Sequence, residues 1–371
     1  MVVSLKSSKK DIMKNVIILF VISNFFIFSK YASTGAKIGL NYCLNTLIPT
    51  LLPFIIISLL VVNSGLSEKM GYLLNPFTKL FFNLPGCAGS TILVSLLGGY
   101  PTGANGVVAL WKKGLVSEKQ AERMLYFTVA GGPAFIISVL GETLLRDKKI
   151  GLILFVSHII PVFILGLISG IASTKETYNI SKESSSENFS NALIISSAKA
   201  TQNMFQICTL VILFSSFLEI FQNSRINTYF LEILRNVGVS SNVAQSIVPM
   251  LLEITSGSLT GIKYHVPLPV LSFFISWGGI CVQMQIFSML KEINFSKVKF
   301  VLFRLAHGVL SAGITQLILC NMKYTVQTFN SKSYHFENTS LVFGGQSLVL
   351  VLLCICFLIS IGKEQIIFKQ K

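Results

Sequence analysis

The stretch 95-SLLGGYPTGANG-106 lies in an apolar run that is too long for a single membrane crossing. No charged side chain occurs in the 32 residues of 80–111. A helix of that length would extend about 48 Å, whereas the hydrocarbon core of a bilayer is about 30 Å thick. The glycine pair at 98–99 permits positive φ, and Pro101 disfavours helical backbone at the residue before it. The sequence therefore predicts two half-helices that meet near Pro101 as a re-entrant hairpin.

The composition is typical of a membrane protein. Of 371 residues, 52% are hydrophobic and 12% are charged, whereas soluble domains contain about 25% charged residues. The 30 basic residues outnumber the 15 acidic ones, and they fall in short tracts between apolar runs, as the positive-inside rule predicts. We expect an all-α polytopic membrane protein that contacts the lipid bilayer and a small solute, with no nucleic-acid partner.

The basic tracts and one polar stretch predict the topology. Two cytoplasmic loops are expected, one with Lys112, Lys113, Lys119 and Arg123 and the other with Lys291, Lys297, Lys299 and Arg304. The serine-rich stretch 174–190 has the composition of a linker and is placed on the opposite side, with both termini cytoplasmic. The apolar run 15–29 resembles a signal peptide, but the lysines that follow it favour a retained first helix.

Similar features recur in the two halves of the chain, which predicts an internal duplication. The TG at 102–103 recurs as SG at 256–257, and the GG at 131–132 recurs at 278–279, offsets of about 150 residues. Many transporters are built from such repeats and bind substrate between them. The predicted domains are a tail with the first membrane helix (1–37), a first membrane repeat (38–173), the linker (174–190), a second membrane repeat (191–322), and a loop with a last membrane helix and a basic tail (323–371).

The first predicted break is a candidate binding site for an anion. A helix that restarts here presents free N–H groups, which attract negative charge. The candidate substrate-binding residues are Gly99, Tyr100, Pro101, Thr102, Gly103 and Ala104, with the free N–H groups expected at the last three. The alternatives are a tight contact between glycine-rich helices and a simple loop at the membrane interface.

A second break is predicted in 251-LLEITSGSLTG-261. Glu253 is an isolated acid between apolar runs, and an intramembrane acid needs a partner, a proton or an ion. Thr255, Ser256 and Gly257 follow it as candidate substrate contacts, and Lys199 is the candidate partner of its charge. The alternative is that Glu253 is an ordinary charge at the membrane interface.

Further polar residues complete the candidate site. Ser196, Lys199, Asn203 and Gln206 recur at helical spacing and are expected on one helix face, although Lys199 could instead extend to the interface. Gln283 follows the glycine pair at 278–279. His158 lies inside a predicted span, whereas the other histidines are expected at interfaces or in loops. The cysteines are expected as small core residues, with no catalytic residue, metal site or cofactor.

The chain resembles the sporulation integral membrane protein family of the YlbJ type, whose members carry Gate, or nucleoside-recognition, domains. The stretches that carry the resemblance are 51-LLPFII-56, 81-FFNLPG-86, 98-GGYPTGA-104, 121-AERML-125, 156-VSH-158, 252-LEITSG-257 and 276-SWGGICVQMQ-285. The resemblance implies paired Gate-type repeats in the membrane of a spore-former, either the cell membrane or the outer forespore membrane. It also implies transport of dipicolinate, a small dicarboxylate, from the mother cell toward the forespore.

Two other functions stay open at this point. One is a membrane scaffold for spore assembly, and the other is a nucleoside-type permease. An enzyme is not expected, because no HExxH, GxSxG or paired-histidine motif occurs. A proton or a cation as coupling ion, and a homo-oligomeric state, are left open by the sequence.

Overall fold

The fold was analysed in a computed structural model, which describes residues 9–173 and 188–321. Every element in these two ranges is helical. The predicted last membrane helix, the basic C-terminal tail and most of the predicted linker lie outside the described residues.

The described residues of the first half, 9–173, form eight α-helices. They are α1 (Lys9–Ile27), α2 (Ser29–Tyr42), α3 (Ile48–Asn63), α4 (Leu66–Phe77), α5 (Cys87–Gly98), α6 (Tyr100–Lys112), α7 (Glu118–Thr128) and α8 (Lys148–Ile171). Three segments are π-helical: Cys43–Leu47, Thr78–Phe82 and Ala134–Leu144. The first of these joins α2 and α3 into one long helix, so the predicted boundary at 37–38 falls inside a helix.

The described residues of the second half, 188–321, form seven α-helices. They are α9 (Phe189–Gln222), α10 (Arg225–Asn236), α11 (Ser241–Leu252), α12 (Ile254–Lys263), α13 (Leu268–Trp277), α14 (Gly279–Met289) and α15 (Lys297–Asn321). The predicted end of the linker at residue 190 falls just inside α9.

The predicted fold class is confirmed, since this is an all-α, multi-pass membrane protein. In the described part of the chain, five helices are long and apolar enough to cross a membrane: Ser29–Asn63, Lys148–Ile171, Phe189–Gln222, Leu268–Met289 and Lys297–Asn321. A sixth crossing is possible where Leu66–Phe82 and Cys87–Gly98 meet at 81°. Large apolar side chains such as Phe26, Leu73 and Phe205 are 74–81% exposed. An exposed apolar surface of this kind is suited to lipid.

The order of the helices is the same in both halves. Each half runs from a long helix (α2–α3 or α9) through a short helix (α4 or α10) to a pair of half-helices (α5–α6 or α11–α12). An interrupted helix follows (α7 with the π-helical segment, or α13–α14), and then a second long helix (α8 or α15). This order matches the offsets of about 150 residues that were seen in the sequence.

The first pair of half-helices forms a hairpin, as the opening stretch predicts. A Cβ atom added at Gly106 would lie 2.7 Å from Thr91 Cγ2, although one straight helix would hold these residues about 22 Å apart. Helices α5 and α6 therefore run side by side in opposite directions. They contain 12 and 13 residues, about 18–20 Å each, so neither one spans a bilayer core alone.

The second pair forms a hairpin of the same kind. A Cβ atom added at Gly257 would lie 2.5 Å from Met250 Cα. Further from the turn, Ser246 Oγ lies 3.4 Å from the carbonyl oxygen of Thr260. These contacts hold α11 and α12 side by side over their length, with the turn at Glu253.

Candidate functional site

The first break lies where the sequence predicts it. Helix α5 ends at Gly98 and α6 begins at Tyr100, with Gly99 between them at φ +86°. The Tyr100 ring is 7% exposed, and its hydroxyl donates a hydrogen bond to the carbonyl of Ile275 near the end of α13. The turn of the first hairpin therefore contacts the interrupted helix of the second half.

A third break, which the sequence did not predict as one, adjoins the first. Helix α7 ends at Thr128, and the chain becomes helical again only near Pro133. A Cβ atom added at Gly132 would lie 2.9 Å from the carbonyl oxygen of Leu97 and 3.0 Å from the nitrogen of Gly99. The backbones of the two breaks thus touch, and the glycines make this approach possible.

The carboxylate of Glu253 caps the second break. The residue has extended backbone, and its Oε1 and Oε2 atoms accept hydrogen bonds from the N–H groups of Thr255 (2.9 Å) and Ser256 (2.7 Å). The side chain is 1% exposed. The acid predicted to be isolated is paired with its own helix start, where an anion is stabilised by the N–H groups and the helix dipole. The Glu253 carboxylate therefore fills the position at this helix start where an anion from outside the chain would bind.

The fourth break brings the others together. Gly278 and Gly279 both have positive φ between α13 and α14. A Cβ atom at Gly279 would lie 3.0 Å from the carbonyl oxygen of Leu252, and one at Gly278 would lie 3.4 Å from the Tyr100 ring. The indole of Trp277 also donates to the carbonyl of Leu251 (3.2 Å). We call the four touching breaks, at 99, 129–132, 253 and 278–279, the central junction.

Arg304 is part of the central junction, and its prediction as a cytoplasmic loop residue was wrong. It lies on α15 with 1% of its surface exposed. Its guanidinium donates to the carbonyls of Tyr126 (2.6 Å) and Val129 at the end of α7. Those carbonyls have lost their helical partners at the third break, so Arg304 satisfies them. The sequence prediction failed because Arg304 follows Lys297 and Lys299 closely and was counted with them.

The structure also corrects the prediction for His307, which is buried beside His158 instead of lying at an interface. Both side chains are 0% exposed, and their ring centroids are 4.5 Å apart. His158 Nε2 accepts the N–H of Gly131 (2.7 Å), and its Nδ1 lies 2.8 Å from Ser276 Oγ. His158, on α8, therefore joins the third break to the end of α13.

The residues predicted to bind substrate at the first helix start are tightly packed. The N–H of Thr102 is not free, because it donates to the carbonyl of Gly99 (3.1 Å). A Cβ atom at Gly103 would collide with the carbonyl oxygen of Thr128 and lie 3.0 Å from Ser95 Cβ. Ala104 is 0% exposed. This geometry fits the alternative of a close helix contact for Gly103, as it does for Gly257.

The candidate residues on α9 separate in the structure. Asn203 is buried and donates to Asn105 of α6, a residue of the opening stretch that the sequence analysis did not select. Lys199 is exposed, so it does not share the buried face of Asn203. The charge of Lys199 acts on Glu292, an exposed acid. A hydrogen bond from Lys112 (2.8 Å) is the main cause that lowers the pKa of Glu292, and the Lys199 charge lowers this pKa further. The predicted partnership of Lys199 with Glu253 is therefore wrong, and its alternative placement at the interface fits.

Several buried polar atoms around the central junction have no partner among the described residues. Gln283 Nε2 and Ser256 Oγ are two of them. Ser256 is the third residue of α12, and Gln283 is the fifth residue of α14, so both lie near helix starts at the junction. Arg304 Nε and His307 Nδ1 are two more. Each such group costs free energy unless a ligand or water meets it. In the described ranges, no group of three or more His, Cys, Asp or Glu side chains could hold a metal ion.

The comparison with known proteins gives one informative relative. The chain is 25% identical over 312 residues to the sporulation integral membrane protein YlbJ of Bacillus subtilis (strain 168), an alignment that covers 76% of each chain. This similarity supports the resemblance seen in the sequence motifs. No protein-family model and no solved structure matches the chain, so the Gate-type domains stay a prediction.

Proposed function

We propose that this protein is a transporter that moves a small anionic metabolite across a membrane during sporulation. Dipicolinate, carried from the mother cell toward the forespore, is the proposed substrate. The sporulation role rests on the similarity to the Bacillus subtilis protein, and the substrate rests on the resemblance of the sequence motifs.

The observation that carries the proposal is the central junction itself. Backbone that leaves the helical conformation at membrane depth is tolerated where protein buries it or where it borders a watery passage. Transporters with internal repeats place their substrate sites at such breaks, between the repeats. Here both halves contribute two breaks each, and these breaks touch one another.

The unpartnered polar groups at the central junction support the proposal that the substrate binds there. The Gln283 amide and the Ser256 hydroxyl are donors at adjoining helix starts, and Asn105 and Asn203 add amides between α6 and α9. An unaided dianion would face an idealised cost of about 20 kcal/mol per charge in a low-dielectric interior. Hydrogen-bond donors that the fold already holds in position lower that cost for a bound dianion.

A scaffold for spore assembly is the competing function. The residues of the central junction are buried, with Tyr100 7%, Glu253 1% and Gln283 5% exposed, so this conformation is closed. A closed helix bundle would serve a scaffold equally well. A scaffold, however, gains nothing from four helix breaks at its centre, each of which costs helical hydrogen bonds.

Deletion of the gene in the spore-forming host tests the proposal. Sporulating cells without the protein should synthesise dipicolinate, retain it in the mother cell and deliver little to the spore. Reintroduction of the wild-type chain should restore delivery. Dipicolinate that reaches the spores of the deletion strain at the wild-type level would contradict the proposed function, and a failure of synthesis would favour a different role.

A further inference from the structure

The hydrogen-bond partners at the central junction fix which nitrogen of each histidine carries a proton. His158 Nε2 accepts a backbone N–H, so the proton of its neutral ring lies on Nδ1 and is donated to Ser276 Oγ. His307 Nε2 lies 2.8 Å from the carbonyl oxygen of His158. Because a carbonyl only accepts, Nε2 of His307 carries the proton. Nδ1 of His307 is then a buried lone pair with no partner among the described residues.

Arg304, three residues earlier on the same helix, carries a buried charge without a counter-charge. Its hydrogen bonds go to two carbonyls, and no carboxylate of the described residues pairs with it. A buried charge is costly unless an opposite charge compensates for it. Residues three apart on a helix are neighbours, with about 5–6 Å between their Cβ atoms. Arg304 and His307 therefore act on each other electrostatically.

The buried face of α15 continues this polar line. It begins with the apolar Phe300 and continues with Arg304, His307, Gly308, Ser311 and Thr315, at the spacing of one helix face. Ser311 Oγ lies 2.8 Å from Ser272 Oγ, and Thr315 donates to the same Ser272 oxygen (2.8 Å). The opposite face carries exposed apolar residues such as Leu302 and Val309. The face that holds His307 therefore stays polar over two further turns of the helix.

We propose that His307 Nδ1 is a proton-binding site that is coupled to anion binding at Arg304. A proton on Nδ1 forms an imidazolium ion beside the Arg304 cation, and the two like charges repel. A carboxylate bound against Arg304 cancels that repulsion, so the proton and the anion bind together. No bond other than N–H forms, and the proton comes from water. The inference rests on the proposed function, because it takes dipicolinate as the anion.

The groups that face His307 support this coupling. Arg304 lies on its own helix, His158 comes from α8, and Tyr100 of α6 has its ring 6.3 Å from His158. Helix α13 contributes the hydroxyls of Ser272 and Ser276, and α7 contributes carbonyls. None of these groups supplies a negative charge, and the Glu253 carboxylate of the central junction is already engaged by the N–H groups of Thr255 and Ser256. A bound anion is therefore the partner that a proton here requires.

Proton uptake on binding tests the inference. Purified full-length protein in weakly buffered detergent would be mixed with dipicolinate, and a pH dye would report protons taken up for each labelled dipicolinate bound. We expect close to one proton for each dipicolinate, and tighter binding at pH 6 than at pH 8, by at most about tenfold per pH unit. Binding without proton uptake would overturn the coupling but leave the proposed function standing. No dipicolinate binding at all would overturn both.

A histidine variant locates the proton. His307→Gln keeps an N–H donor toward the carbonyl of His158 but has no group that titrates, so dipicolinate binding should lose its pH dependence and its proton uptake. His265→Gln makes the same change at an exposed loop histidine and should behave as wild type. Proton uptake by His307→Gln at the wild-type ratio would overturn the assignment. The proton count of the wild-type protein tests the coupling even if the variant does not fold.

Discussion

Replacement of Glu253 by glutamine tests whether this buried acid caps a helix or carries a proton. The carboxylate accepts two N–H groups, those of Thr255 and Ser256, at 1% exposure. Glutamine offers one oxygen for these donors and turns its NH₂ group toward the other. A buried donor without an acceptor costs about 1–3 kcal/mol, and loss of the charge at the helix start costs up to about 2 kcal/mol more.

We therefore expect Glu253→Gln to lower the free energy of unfolding by about 1–5 kcal/mol. Glu253→Asp should lose less, because aspartate is a favoured N-cap residue. The assay is equilibrium unfolding of purified protein in mixed micelles, with dipicolinate uptake measured at matched membrane levels. Asp147→Asn is the matched control. Asp147 caps α8 from a half-buried position, with Oδ1 accepting the N–H groups of Lys149 (2.8 Å) and Ile150 (3.3 Å), and its replacement should cost about 1 kcal/mol or less.

The two roles of Glu253 give opposite results. Glu253→Gln with an unfolding free energy within about 0.5 kcal/mol of wild type would refute the capping role. If such a stable variant had also lost transport, Glu253 would be a proton carrier or a charge in the passage, as first considered from the sequence.

Three further predictions concern packing, charge and topology. Gly103→Ala should reduce the yield of folded protein in detergent, because the added Cβ collides with the carbonyl of Thr128. Gly313→Ala is the control and should fold normally, since a Cβ atom at this position has no other atom within 4 Å. Equal yields of the two variants would contradict this packing. Lys199→Gln should keep dipicolinate uptake within about twofold of wild type, as expected for an exposed charge. A complete loss of uptake would indicate that Lys199 does belong to the substrate site. A cysteine introduced at Ser185 should react with an impermeant reagent from outside the cell, and labelling from the cytoplasm alone would refute the predicted topology.

The fold class and the positions of two breaks could be predicted because they depend on local chemistry. The glycine pair at 98–99 ends a helix and Pro101 begins one, and these preferences act within a few residues. The apolar run is too long for a single membrane crossing, and the sequence therefore predicts a hairpin of two half-helices. The duplication was predictable in outline because a glycine pair recurs, and a TG dipeptide is matched by SG, at offsets of about 150 residues.

The roles of the buried charged residues could not be predicted because they depend on distant partners. The sequence shows that Glu253 is isolated, but only the fold shows that the nearest donors are the N–H groups of its own helix. Charge counting places Arg304 in a loop because it ignores which helix face a residue occupies. The spacing of Arg304, His307, Ser311 and Thr315 did contain a signal, since polar residues that share one face of an apolar helix indicate a buried polar stripe.

The central claim, that the protein transports dipicolinate, is tested most directly by counterflow in proteoliposomes. Vesicles that contain purified protein would be loaded with unlabelled dipicolinate and diluted into a trace of labelled dipicolinate. A transporter that returns across the membrane with bound substrate should accumulate label inside transiently, and excess external dipicolinate should abolish this accumulation. Correctly inserted protein that accumulates no more label than empty vesicles would contradict the account and favour a scaffold.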